Sequence, residues 1–183
     1  MNHKGTITLQ TDRLILRQFI TDEYEKIFNN YCCDSRITKY MTWEPHKNSL
    51  QTKELVSNWV ASYNDLEFYQ WQIVLKENKE PVGSISVVNI DKELKQMELG
   101  YCIAYNEWNK GFVTEAVLAV IKYLFEEINV SSIVAKHDSR NIASGKVMQK
   151  CNMIYYGRES ANNKGEDIIL EVYIISKEEY NSN

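Results

Sequence analysis

The chain carries little punctuation. Two prolines and seven glycines are spread over 183 residues. No proline-, glycine- or serine-rich stretch divides it, which argues against a linker and predicts a single domain over residues 1–183. Long apolar runs are missing too. Nothing approaches the ~20 residues needed to cross a bilayer. The opening MNHKGTITLQTDR lacks the apolar segment of a secretory signal. A cytoplasmic protein with no membrane partner is expected. The four cysteines, Cys32, Cys33, Cys102 and Cys151, show no CxxC spacing and no paired framework, so neither a metal site nor a disulfide scaffold is expected. An excess of basic charge is absent as well. Net charge is −4, which disfavours a nucleic-acid partner and is mildly compatible with a cationic substrate.

What is present reads as an ordinary globular chain, 44% hydrophobic and 25% charged. Apolar and polar residues alternate from Leu14 to Phe19, which predicts a strand. A helix is expected from Thr21, capped by Thr21 or Asp22, with Tyr24, Ile27, Phe28 and Tyr31 at helical spacing. A second helix is expected over Ser49 to Tyr63. Strands follow at Phe68–Glu77, at PVGSISVVNID and in the stretch KQMELGYCIA. After Gly111 a helix carries Val113, Val117, Val120, Ile121, Leu124 and Ile128 on one stripe. The strand SSIVAKH, the short helix NIASGKVMQK and a closing pair, MIYYGRES and DIILEVYIIS, complete the chain. This order predicts an α/β (α+β) layered domain with a central mixed, largely antiparallel sheet flanked by helices.

Three local features carry chemistry. In WNKGFVTEA, a glycine stands between a strand and a long helix. A helix start presents unpaired N–H groups and a positive dipole end, suited to phosphate. The same glycine also fits a plain turn with positive φ. In NIASGKVMQKCNM, Asn141 is a good N-cap and Ser144 falls in the first turn. Gly145 costs about 1 kcal/mol relative to alanine in a helix, which suggests that something packs closely on it. Asn152 suits the left-handed residue that ends a helix. In MELGYCI, Met97, Leu99, Tyr101 and Ile103 share one face, and Glu98, Gly100 and Cys102 the other. Gly100 suggests a bulge or the close approach of another backbone. Glu98 reads either as a functional carboxylate or as an exposed one paired across the sheet.

Taken together, ELGYCI, WNKGFVTEA and NIASGKVMQKCNM resemble the GNAT superfamily of acyl-CoA N-acyltransferases. The likeness is greatest to the branch that acetylates ribosomal-protein N-termini. The strand TDRLILRQF matches the start of that branch, and the resemblance covers about residues 11–175. Two positions depart from the usual Q/R-x-x-G-x-G/A phosphate loop. Trp108 stands first, and Val113 occupies the place of a small residue. In the later helix, CNM replaces the usual x-G-F.

The resemblance implies acetyl-CoA as cosubstrate, no metal, and direct attack of an amine on the thioester. Main-chain N–H groups of Asn109, Lys110, Gly111, Phe112, Val113 and Thr114 would hold the diphosphate, with the Thr114 hydroxyl in support. The pantetheine arm would run along Tyr101, Cys102 and Ile103, with Asn141 bonding it from the other side. Glu115, negative beside phosphate, would turn away into a cap or salt bridge. Ser144 would donate to the departing sulfur, and N–H groups near Cys102 and Ile103 to the carbonyl oxygen. A lysine-like amine of pKa about 10.4 is free in only about one molecule in a few thousand at pH 7, so a base matters. Glu98 is the first candidate and His137 the second. His137 is equally readable as an exposed histidine at a strand end.

The resemblance implies a small-molecule amine or a protein N-terminus as acceptor. Trp43 and Glu44, beside a proline in the TWEPHKN loop, are the pocket candidates on this side. Trp59 and Trp71 read as core. The alternative is a CoA-binding module without turnover, left open by Val113. Thiol release over a panel of amines separates the two. Similar proteins are commonly homodimers, and the closing strands offer an edge for one.

Overall fold

In a computed structural model that describes residues 1–182, one eight-stranded sheet organises the chain. Its strands are β1 (Leu9–Gln10), β2 (Leu14–Arg17), β3 (Gln70–Leu75), β4 (Pro81–Asp91), β5 (Gln96–Ile103), β6 (Ser132–Asp138), β7 (Ile154–Asn163) and β8 (Glu166–Ser176). They lie side by side in the order β1-β2-β3-β4-β5-β6-β8-β7. Every pair is antiparallel except β5 with β6. The helices are α1 (Tyr24–Ile27), α2 (Ser35–Thr38), α3 (Ser49–Ser62), α4 (Phe112–Tyr123), α5 (Ile142–Lys150) and α6 (Lys177–Ser182). The mixed, mostly antiparallel sheet with flanking helices is the architecture the element order predicts. Among the described residues, no helix is long and apolar enough to cross a membrane.

The core forms where the apolar stripe of α4 and of the π-helical turn that continues it, Leu124–Ile128, meets the first strands. Val117, Val120, Ile121, Leu124 and Ile128 are all buried. Tyr123 meets the Trp71 ring edge-on at 5.9 Å, and Trp71 stacks on Tyr69 at 5.9 Å. Trp71 is fully buried, as its sequence context suggests. Trp59 packs on Phe19 at 4.7 Å and is only partly buried.

Several boundaries differ from expectation for local reasons. β2 stops at Arg17 because the chain turns there, and the N–H of Phe19 donates to the Tyr63 hydroxyl at 2.9 Å. Neither Thr21 nor Asp22 caps the first helical segment. Ile20 holds the cap position, without a side-chain bond. α3 is capped by Asn48, whose side chain accepts from the N–H of Gln51 at 3.2 Å. The irregularity foreseen at Gly100 lies on the neighbouring strand. The β4–β5 register slips between Val87 and Asn89, leaving Val88 as the extra residue. A Cβ on Gly100 would stand 2.9 Å from Cγ1 of Val88. The close approach is therefore a side chain and not a backbone.

Candidate active site

The two parallel strands part company halfway. β5 and β6 pair from Gln96↔Ser132 only as far as Leu99↔Ala135. Beyond that point β5 stays on β4 as far as Ile103, and β6 stays on β8 as far as Asp138. Between them a gap opens in the sheet. Alternate main-chain groups of the far half of β5 therefore lack a strand partner on that side, a free edge for an extended ligand.

One cavity, of about 410 Å³, opens from the gap toward the start of α4. Gly111 sits at the N-cap of α4 in the left-handed region (φ 81°), and Asn109 is left-handed too (φ 63°). Both readings of this glycine thus apply, since the positive-φ turn leads directly into the helix start. The N–H groups of residues 109 to 114 donate to no group among the described residues, and Gly111, Phe112, Val113 and Thr114 line the cavity. Successive free N–H groups at a helix N-terminus form an anion seat. Val113 packs partly against the core, so its bulk is taken up there. Lys110 turns its ammonium to Glu107 at 3.0 Å. Trp108 donates from Nε1 to the carbonyl of Ile103 at 3.1 Å, fastening the loop to the end of β5.

Glu115 does turn away from this seat. Its carboxylate accepts from Thr11 Oγ1 at 2.5 Å, from the Arg13 N–H at 2.9 Å and from Arg13 Nε at 2.7 Å. Burial works against its charge, but these bonds and the Arg13 guanidinium leave its pKa below the usual carboxylate range. Arg13 also donates from Nη1 to the carbonyl of Lys110 at 3.0 Å and lies 4.5 Å over the Phe112 ring. No motif in the sequence points to this residue, because its partners lie about a hundred positions away.

A second cavity, of about 550 Å³, opens on the other side of the gap. Tyr40, Met41, Tyr101, Cys102, Asn141 and Ser144 line both cavities, so the two meet at the gap. At this junction Ser144 Oγ and the Tyr101 hydroxyl lie 3.0 Å apart, and Tyr101 is within 3.2 Å of the Ser144 carbonyl. Burial raises the Tyr101 pKa, so the phenol stays protonated. Asn141 caps α5, with Oδ1 accepting from the Ser144 N–H at 3.3 Å. Its amide Nδ2 bonds nothing among the described residues and is free to donate. Asn152, at the far end, is left-handed as expected (φ 59°).

The turn that sets Asn141 is held by Asp138. Hydrogen bonds from Arg140 (Nε at 2.9 Å, Nη2 at 2.6 Å) keep this buried carboxyl below its ordinary pKa against the cost of burial. The Asp138 carbonyl accepts from His137 Nδ1 at 2.8 Å and from the Asn141 N–H at 2.7 Å. His137 is 8% exposed, so the reading of an exposed strand-end histidine is corrected. Its ring lies over Gly145, where a Cβ would come within 2.7 Å of Nε2. The glycine thus accommodates the imidazole. With Nδ1 donating, Nε2 is a lone pair without a partner among the described residues.

Glu98 lines the second cavity and is paired with Lys136 at 3.3 Å, which also reaches Glu159 at 2.8 Å. Burial pulls the Lys136 ammonium down, but Glu159 and Glu98 hold it above its usual range. Trp43 lines the same cavity, 5.7 Å from the His46 ring. Glu44 does not join it. Its exposed carboxylate lies 3.5 Å from Lys164. Cys102 Sγ is 3.4 Å from Ser84 Oγ, and burial raises the thiol pKa. Cys151 is pushed up to about 12 by burial. Neither is an activated nucleophile.

The model of the acetyltransferase (GNAT) domain matches residues 13–154. The chain is 31% identical over 179 residues to "Uncharacterized N-acetyltransferase p20" of Bacillus licheniformis, covering 94% of this chain and 98% of that protein. A solved GNAT-family acetyltransferase from Bacillus anthracis superposes with a TM-score of 0.82 at 24% identity, over 94% of this chain and 99% of that one. RimL, a ribosomal L7/L12 α-N-protein acetyltransferase solved in complex with coenzyme A, superposes with a TM-score of 0.82 at 15% identity, over 93% and 98%.

Proposed function

The chain belongs to the GNAT acetyltransferase family and is an acyltransferase. From that premise we propose that it moves the acetyl group of acetyl-CoA to a primary amine, of a small molecule or a protein N-terminus, in a ternary complex. The supporting observation is the pair of cavities that meet in the gap between β5 and β6, giving two substrates separate approaches to one point. That RimL was solved with coenzyme A bound supports this donor for the first cavity.

In this reading the N–H groups of residues 109 to 114 and the Thr114 hydroxyl hold the diphosphate. The pantetheine arm extends the sheet beside Tyr101, Cys102 and Ile103, and Asn141 Nδ2 donates to it. The register with β4 commits the Cys102 N–H to that strand, so the Ile103 N–H, which faces the gap, stabilises the thioester oxygen as charge develops. The amine nitrogen attacks from the second cavity. The C–N bond forms, the C–S bond breaks, and the nitrogen loses a proton. Glu98 takes that proton, directly or through water. His137, the second candidate, lines the wall, but its Nε2 is buried against Gly145 and out of reach of the amine. The departing thiolate is met by Ser144 Oγ, backed by the protonated Tyr101.

Coenzyme A titrated calorimetrically against the wild type and Gly111→Asp tests donor binding. A side chain at φ 81° is strained, and a carboxylate repels phosphate. A loss of affinity of about 100-fold or more is expected, and equal affinity overturns the placement. Glu98→Gln tests the base. The acidic limb of kcat/KM against pH should disappear, and an unchanged profile removes Glu98 from the role. The reading of a binding module without turnover rested on Val113, whose side chain is accommodated by the core.

A further inference from the structure

The charge balance of the second cavity narrows the acceptor. We propose that it is a small monoamine with a neutral aromatic or apolar body, and not a polyamine, an aminoglycoside or a basic peptide. This rests on the transferase reading above and specifies the substrate of the same site.

The walls are apolar and aromatic. Tyr40, Met41, Trp43, Leu55 and Trp59 contribute to them. A volume of about 550 Å³ is within the range that encloses a compact organic molecule. The carboxylates among the described wall residues are Asp138 and Glu98. Asp138 is committed to Arg140 at 2.6 Å. Burial depresses the His46 pKa, which favours neutral imidazole. Glu98 is the one remaining carboxylate among the described lining residues.

Glu98 is also releasable. Its partner Lys136 lies closer to Glu159, at 2.8 Å, than to Glu98, at 3.3 Å. An incoming ammonium can take Glu98 while Lys136 keeps Glu159, so no charge is left unpaired. That exchange works once. A second or third ammonium on the same ligand meets no uncommitted carboxylate among the described lining residues, and an unpaired buried charge is strongly unfavourable. Gln70, Ser84 and Ser86 supply neutral polar contacts for hydroxyl or amide substituents.

The wall segment that supplies Tyr40, Met41 and Trp43 is anchored from outside the cavity. Lys164, in the turn between β7 and β8, donates to the carbonyl of Thr38 at 2.9 Å, and Asn163 donates to that of Met41 at 3.2 Å. These bonds tie the turn onto the segment that supplies Tyr40, Met41 and Trp43. They also draw Glu44 outward to Lys164, away from the acceptor.

The test is thiol release at saturating acetyl-CoA with phenethylamine, tyramine, isoamylamine, spermidine, kanamycin and a lysine-rich peptide. The arylalkyl monoamines should exceed spermidine and kanamycin in kcat/KM by about 100-fold or more. Trp43→Ala should raise KM for phenethylamine about tenfold and leave KM for acetyl-CoA unchanged, with Trp43→Phe largely restoring it. Equal or better turnover of spermidine, kanamycin or the peptide overturns the proposal. So does failure of every monoamine to react or to shift the melting temperature of the CoA-loaded protein. Calorimetry with acetyl-CoA alone keeps the two levels apart. If the donor does not bind, the transferase reading fails. If it binds and the polycations react, only the acceptor assignment fails.

Discussion

Arg13 and Glu115, 102 positions apart in the chain, meet side by side next to Gly111, with Nε to Oε2 at 2.7 Å. The same guanidinium holds the carbonyl of Lys110 at 3.0 Å. A carbonyl fixed in this direction orients the peptide that carries the Gly111 N–H. The pair thus ties the N-terminal strand region to the loop where the donor's diphosphate is expected, and it keeps a negative charge out of the seat.

Arg13→Ala should therefore raise KM for acetyl-CoA by about tenfold, roughly the value of a charge-assisted bond, without changing KM for the amine. Arg13→Lys should recover only part of the loss, because an ammonium cannot reproduce the forked contact. Steady-state kinetics with each substrate varied in turn checks this. An equal rise in both constants would mean general loosening.

The Tyr101–Ser144 contact at the junction predicts a different kinetic pattern. Ser144→Ala and Tyr101→Phe should each lower kcat by about 10- to 100-fold, with acetyl-CoA binding within about a factor of two. That pattern marks a group acting in the transition state. Unaltered turnover in both variants would exclude the pair from thiolate release.

Gly145→Ala has a diagnostic sign. In an exposed helix this change stabilises by about 1 kcal/mol. Here the methyl would lie 2.7 Å from His137 Nε2, so a loss of about 1–3 kcal/mol is expected from overpacking. In a His137→Ala background the same change should become neutral or favourable. Urea unfolding of the four proteins closes this cycle.

Acid should act through Asp138. The hydrogen bonds from Arg140 lower its pKa in the folded state. Its contribution is then fully present above the unfolded value of about 4 and is lost as pH falls through the lower folded value. Asp138→Asn should cost about 1–3 kcal/mol at pH 6 and flatten the fall in stability below about pH 4. Urea midpoints across that range test the sign.

Much of this site was legible because its parts are local. Asn141 as a cap, Ser144 in the first turn and Asn152 as the left-handed close follow from residues within one short helix, and all three are found there. The glycine before α4 announced its turn in the same way. Arg13 was not legible, since its meaning depends on Glu115 and Lys110. Nor was the placement of Glu44, which Lys164 on a distant hairpin draws outward.

The sequence by itself determined the longer elements, the mixed sheet and the residues that border the gap; the short β1, α2 and α6 were not foreseen. Alternation, helical spacing and capping act between near neighbours, so they can be read along the chain. Only the tertiary structure decided where β5 and β6 part, what lies on Gly145, and which carboxylates remain uncommitted. Those depend on strand register and on ion pairs between residues brought together by folding, and the energies that select them are shared across the whole core.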